Sequence, residues 1–202
     1  MKTRAELKMD AKQQLKGNYG LAIGVLLTMV AISLLVFVPF IGGILVFLAA
    51  PSLALGVIMV YQRFAHYEKP SYEEMFHGFQ YFGKALLLYI LVSVFTFLWS
   101  LLLVVPGIVK SFSYSMSFYI LAEHPEMTAL EALNESKRIM DGHKLDLFVL
   151  MLSFLGWMIL CSLTFGILLL YVEPYMYATY VNFYNMVKEQ HTISGPEIVQ
   201  GQ

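Results

Sequence analysis

Asp141, His143, Lys144 and Asp146 crowd two acids, an imidazole and an ammonium into six consecutive residues. An acid beside a histidine can orient the ring for proton transfer, the arrangement on which general acid–base chemistry relies. No nucleophile or second acid pair stands near them in the sequence. The four side chains are therefore read as a polar collar at a membrane edge, ending one helix at Gly142 and anchoring the apolar run that follows. A second group is built around Lys110 and Glu173, two charges set in apolar surroundings. They occupy matching places in an internal repeat, and are expected to meet as an outer ion pair in which each eases the other's desolvation. Contact with a bound solute is the alternative. Ser111, Tyr114, Ser115, Tyr177, Tyr180 and Asn182 make the segments around that pair wetter than their partners. Helix packing through small and hydrogen-bonding residues accounts for most of this polarity; a polar interior holding a ligand is the sharper reading. Cys161 is the one cysteine, so no internal disulfide is possible, and no CxxC or HExxH spacing occurs. The twelve methionines read as gap-fillers. No catalytic residue, metal or cofactor is expected.

The elements that must carry these residues follow from composition. Of 202 residues, 58% are hydrophobic and only 13% charged, against roughly 45–50% and about 25% in an ordinary soluble domain. A water-soluble fold of this length could not hide so much apolar surface. The net charge of −1 supplies no basic field for nucleic acid. A bilayer core needs about 20 helical residues to cross it, and Leu21–Val38, Ile44–Val60, Ala85–Val105 and Leu147–Tyr171 qualify. The first run is too long for a signal core and lacks a small-x-small cleavage site before the next, so it is read as retained.

The stretches after Pro106 and Pro174 are less apolar. In VVPGIVKSFSYSMSFY (104–119) the serines alternate as they would on a strand, but an isolated strand cannot satisfy its backbone in lipid. On a helix, Ser111 and Ser115 share one side and Ser113 and Ser117 another, while Lys110 is near enough to a membrane face to snorkel. Both stretches are therefore read as returning helices. The fold expected is all-α and polytopic: six transmembrane helices in three hairpins, forming a single domain over residues 1–202. The outer connections expected are Pro39–Gly43, Val105–Ile108 and Val172–Tyr175. With both termini cytoplasmic, twelve of the thirteen Lys and Arg residues lie inside, as the positive-inside rule asks. Gly17, Gly78 and Gly142 each precede a span, and Pro39, Pro106 and Pro174 each follow one, which marks pseudo-repeats at about 1–65, 66–125 and 126–190. A short polar tail covers 191–202.

A cytoplasmic amphipathic helix is expected before each hairpin. Ser71–Glu74 and Thr128–Glu131 fit the capping box. Tyr72, Met75, Phe76, Phe79 and Phe82 then share one face, as do Ala129, Leu130, Ala132, Leu133, Ile139 and Met140. In the N-terminal segment Arg4, Lys8, Lys12 and Lys16 flank Leu7, Ala11 and Leu15, a pattern suited to an anionic leaflet. Capping the bundle from inside is preferred for all three over lipid sensing or partner docking.

From Ser136 the chain reads SKRIMDGHKLDLFVLMLSFLGWMILCSLTFGILLLYVEPY, and it resembles the bacterial multi-pass membrane family known as domain of unknown function 975. Ser136-Lys137, Met140, Gly142-His143-Lys144, Phe148, Ser153-Phe154, Gly156-Trp157, Gly166, Pro174-Tyr175 and Phe183-Tyr184 carry the resemblance. Upstream, VVPGIVKSFSYSMSFYILAEHPEM (104–127) is also similar, with Glu123 where the family pattern has an aspartate. A more distant similarity is to the membrane domain attached to some glycerophosphodiester phosphodiesterases, without their catalytic domain. The resemblance implies an integral protein of the bacterial inner membrane and brings no activity with it. The function expected is non-enzymatic: an accessory protein in the lipid bilayer that binds a membrane-protein partner, a lipid or an amphipathic peptide, or a second copy of itself. The alternative is a small transporter or channel component with a polar path between helices two, four and six.

Overall fold

The structure, a computed structural model, describes residues 2–38, 41–102 and 104–193. Pro39 and Phe40 of the first expected connection, and the tail from residue 194, lie outside the described residues. Ten α-helices account for most of them: α1 (Arg4–Leu15), α2 (Tyr19–Ser33), α3 (Gly42–Ala65), α4 (Phe82–Leu102), α5 (Val104–Tyr114), α6 (Ser117–Glu123), α7 (Ala129–Ile139), α8 (Lys144–Leu152), α9 (Leu155–Leu163) and α10 (Leu169–Ile193). Two 3-10 helices, Leu34–Phe37 and Tyr72–Tyr81, complete the set, and there is no strand among the described residues. Four helical segments are long and apolar enough to cross a membrane: Tyr19–Phe37, Gly42–Ala65, Tyr72–Leu101 and Lys144–Leu163. The second return is instead split between α5 and α6, and α10 is too polar to join the four.

Two of the expected connections fall inside helices. Pro106 stands in the first turn of α5 and Pro174 in the first turns of α10. Pro106, third in α5, lacks an N–H that would have no intrahelical acceptor, whereas Pro174, sixth in α10, lies inside the helix and leaves the Leu170 carbonyl without its usual donor. The third turn is instead Thr164–Leu168, where Phe165 and Gly166 take left-handed φ values of 51° and 83°.

Burial changes along each returning helix. Ile44, Leu45 and Phe47 of α3 are exposed, whereas Leu53, Leu55, Val57 and Val60 of the same helix are enclosed. Val105, Ile108 and Val109 are exposed in α5, and the core resumes with Tyr114, Met116 and Ile120. Leu170 and Tyr171 open α10 in the same way before Val172, Ala178, Val181 and Val187. The molecule thus has an apolar end, whose side chains face outward, and a polar end, where a protein core is packed. Leaving a large aliphatic side chain in water rather than burying it forfeits roughly 1.5–3 kcal/mol, and the outward band includes Leu101, Val105, Leu163 and Ile167, each at least 70% exposed. Hydrocarbon is the surrounding that removes this penalty.

At the polar end the short helices do not lie flat beside the bundle; they are built into it. α1 runs antiparallel along α10, burying Leu7, Ala11 and Leu15. The Tyr72–Tyr81 helix packs along α3, and α7 along α6 and α4. The returning segments meet one another inside this shell: Tyr61 of α3 stacks on Tyr177 of α10 at 5.2 Å, and Tyr119 of α6 packs on Tyr184 at 5.8 Å. These contacts set α3 and α10 side by side with Leu169 roughly level with Leu53, so α3 extends about 16 Å beyond α10 at 1.5 Å per residue. Tyr171 accordingly stacks on Tyr19, at the start of α2, with centroids 5.1 Å apart. The start of α10 thus falls well short of the start of α3.

The segment after Ser71 departs from the expected α-helix. Its capping box forms, but ten residues follow in 3-10 geometry. Every third residue then faces α3, so Met75 and Gly78 are buried while Tyr72, Phe76, Phe79 and Phe82 remain on the outside. Backbones touch here: a Cβ on Gly56 would lie 1.8 Å from the Met75 carbonyl oxygen, and one on Gly78 1.9 Å from that of Ser52. Gly17 and Gly142 share a different role, joining α1 to α2 and α7 to α8 at φ of 85° and 83°. Gly56→Ala and Gly78→Ala should each destabilise the protein by about 1–3 kcal/mol, the usual cost of overpacking. Gly83→Ala, with nothing within 4 Å of its added carbon, should melt within a degree or two of wild type or slightly above it. Thermal denaturation in detergent checks all three.

Candidate functional site

Polar side chains converge where α3, α6 and α10 end. Gln14 and Asn182, both buried, exchange two amide hydrogen bonds: Gln14 Nε2 donates to Asn182 Oδ1 at 2.9 Å, and Asn182 Nδ2 donates to Gln14 Oε1 at 3.0 Å. Their spare N–H groups reach the Ala65 and Leu7 carbonyls at 3.4 and 3.3 Å. Arg63, near the end of α3, holds Glu74 at 2.8 Å and Glu68 at 3.7 Å. Glu74 also accepts from the Ser71 backbone at 3.0 Å, so one carboxylate both caps the 3-10 helix and binds it to α3. Tyr184 donates to Glu123 at 2.6 Å, and the Lys188 ammonium donates to the other carboxylate oxygen. Desolvation pushes the Glu123 carboxyl upward, but the bonds from Lys188 and Tyr184 outweigh it and hold the group below the ordinary carboxylate range.

Between these contacts lies a cleft of about 270 Å³. Gln62, Arg63, His66, Glu74, His77, Glu123 and Asn185 line it, with Met59 and Ala122 as its apolar floor. A second cleft of about 260 Å³ shares His66 and Asn185 and opens against Lys2, Asp10 and Gln14 of the N-terminal segment. The charges are largely paired within the protein, Arg63 with Glu74 and Glu123 with Lys188. What the first cleft offers an incoming group is imidazole, amide and carboxylate edges at a net acidic surface, with Glu68, Glu74 and Glu123 against Arg63. Among the described residues there is no cluster of three His, Cys, Asp or Glu side chains that could hold a metal ion.

The residues singled out from sequence are distributed differently. Lys110 does not reach Glu173; its ammonium lies over the Trp99 ring at 4.7 Å. The two sit on hairpins of different depth, and an aromatic face on the neighbouring arm of its own hairpin serves the lysine instead. Ser111 and Ser115 donate to the Ile108 and Phe112 carbonyls at 2.7 and 2.8 Å. Ser111 is exposed, and the buried serines are Ser113 and Ser117. Tyr114 is buried against Phe95 and Lys137. Tyr177 stacks on Tyr61, and Tyr180 meets Phe154 edge-on. Only Asn182 joins the polar end through the amide exchange. In the collar, His143 Nδ1 lies 3.2 Å from Asp146 and Lys144 lies 3.7 Å from Asp141; both pairs stay on the α7–α8 junction, away from the cleft.

Sequence reasoning missed Gln14, Arg63, Glu74, Ser136 and Lys188. Ser136 lies on the apolar face of α7, and this interruption was its available signal. Its hydroxyl donates to the Ser113 carbonyl at 2.8 Å and accepts from the Met116 N–H at 3.2 Å, bridging the break between α5 and α6.

All-helical among the described residues, with four segments long and apolar enough to cross a bilayer and polar groups that pair among themselves, the fold has the length and composition pattern of the membrane-protein class. The family model described as "Protein of unknown function (DUF975)" matches residues 1–111 and again 101–191, and the chain belongs to that family. No curated protein matches, and no solved structure does.

Two expectations test the polar end. Gln14→Leu and Asn182→Leu each strand a buried amide and should cost about 1–3 kcal/mol, whereas the double variant should recover part of that loss; a double-mutant cycle of melting curves measures it. Glu123 has its folded pKa depressed, so its contribution is present above the unfolded value and is lost as pH falls through the folded one. The melting temperature should therefore drop below about pH 4, and Glu123→Gln should flatten that drop while lowering stability at pH 7.

Proposed function

We propose that the protein is a non-enzymatic accessory of the bacterial inner membrane that docks a protein segment from the cytoplasmic side. Three hairpins insert six segments, the third least deeply, and both termini are cytoplasmic. Each hairpin with its preceding short helix forms one of three repeated units. In this reading α1 packs on the return of the third unit, the 3-10 helix on that of the first, and α7 on that of the second, so the short helices close a ring around the returns. The positive-inside rule supports the orientation, because Lys110 alone among the cations lies toward the apolar end.

One observation carries the reading. The groups able to meet a ligand gather in the clefts around His66 and Asn185 at the polar end, while the meeting line of the returns is filled by Tyr61, Tyr119, Tyr177 and Tyr184. A cleft whose carboxylates are already engaged by Arg63, Tyr184 and Lys188, and which adds amide and imidazole edges, suits a polar segment of a protein better than a small anion. The filled centre speaks against a path between helices two, four and six.

Site-specific photocrosslinking in native membranes tests the proposal. A photoreactive residue at His66, His77 or Asn185 should capture a reproducible protein partner, and one at Leu101 or Val105 should capture only lipid. Equal, unspecific capture at both ends would remove the docking role. Flux into proteoliposomes above background, reduced by Tyr61→Ala, would revive transport.

A further inference from the structure

Glu173 stands near the start of α10, half-buried, and among the described residues no cation or hydrogen-bond donor engages its carboxylate. One turn on, Tyr177 stacks on Tyr61 with rings inclined by only 19°. The hydroxyls of both tyrosines lie within electrostatic reach of Glu173. Around this group the protein turns apolar side chains outward: Phe165 is 98% and Ile167 73% exposed. Beside α10 lies an almost wholly apolar cleft of about 530 Å³, lined by Ile23, Phe165, Leu168, Leu170 and others. Leu170 and Glu173 occupy adjacent faces of one helical turn, so cleft and carboxylate adjoin.

An unpaired carboxylate in hydrocarbon is expensive, and residues so placed mark functional positions. Tyrosine faces attract cations, most strongly where water is excluded. The chain's own candidate counter-charge, Lys110, is taken by Trp99. We infer that Glu173, with the partly exposed ring of Tyr177 that the buried Tyr61 backs, holds the ammonium head of a cationic amphiphile whose hydrocarbon chain lies in the cleft between Ile23 and Leu170. Such a ligand supplies the missing charge and fills the groove at once. The site is independent of the docking clefts at the polar end.

Binding of radiolabelled dodecyltrimethylammonium to the full-length protein in dodecylmaltoside micelles tests the site. Saturable binding at one site per chain is expected, weakened at least tenfold in Glu173→Gln and severalfold in Tyr177→Leu, with Tyr177→Phe close to wild type. Dodecyl sulfate should not compete. Competition by phosphatidylethanolamine would identify a lipid headgroup as the source of the ammonium; undiminished binding in its presence would identify a free amphiphile. Equal competition by the sulfate, or wild-type binding by Glu173→Gln, would overturn the inference. Glu173→Gln is isosteric, and its melting curve without ligand confirms the fold; should it fail to fold, the contrast between Tyr177→Leu and Tyr177→Phe decides.

Discussion

Closure of the bundle depends on the docking of α1 along α10. The amide exchange between Gln14 and Asn182 joins residues 168 positions apart, and Leu7, Ala11 and Leu15 are enclosed by the same contact. The entropic cost of so long a loop grows only with the logarithm of its length, so a modest buried patch suffices to hold it. Two of the basic residues that suggested an anionic leaflet work inside the protein. Lys8 donates to the Ser153 carbonyl at 3.0 Å and lies 4.0 Å from the Phe154 ring centre, and Lys12 sits over Tyr175. The N-terminal helix is therefore part of the core. A charge pattern that reads as membrane affinity is satisfied by carbonyl and aromatic partners on the third hairpin.

The core so closed is only half as long as the helices that enter it. Hydrogen bonding divides at the same place. Toward the apolar end, hydroxyls turn back on their own helices: Thr28 donates to the Gly24 carbonyl, Ser100 to Thr96 and Ser113 to Val109. That satisfies each hydroxyl locally even where another element stands near, as Tyr72 does beside Thr28 and α7 beside Ser113. Toward the polar end, side chains reach between elements, as when Gln62 donates to the Tyr119 carbonyl at 2.9 Å and Lys84 to that of Pro125 at 2.6 Å. Specific tertiary structure is thus concentrated in the polar half.

Much of the architecture was legible in the sequence because its signals are local. The apolar runs, the capping boxes at Ser71 and Thr128 and the buried stripe of α1 each depend on a few neighbouring residues. Thr3–Glu6 is a further capping box of the same kind that went unread. Depth was not legible, because the level at which a hairpin turns is set by its neighbours; Tyr171 meets Tyr19 instead of ending an outer loop. The 3-10 helix was hidden for a similar reason. Aromatics at 72, 76, 79 and 82 fit an α-helical face, but the close approach of Gly56 and Gly78 presents Met75 to the core and leaves the rings outside. The candidate site fared worst. Pairing Lys110 with Glu173 assumed hairpins of equal depth, and Arg63–Glu74 and Glu123–Lys188 depend on ends that only the fold brings together.

Two helical segments are interrupted where they enter the polar-end core, and both interruptions are braced by the short helices α7 and α1. At Ser115–Met116 the free backbone groups find Ser136 of α7, which acts as donor and acceptor together. At Ser153–Phe154 the carbonyl freed at the end of α8 finds Lys8 of α1. A buried backbone group without a partner is costly, so each break is stabilised by the short helix packed on it. The linkage also runs in reverse. A partner that displaced α1 or α7 from the polar end would expose a carbonyl or N–H within the adjoining hairpin, and that helix would have to straighten or rebond. The short helices couple events at the polar end to the shape of the apolar one, through contacts that belong to the folded core.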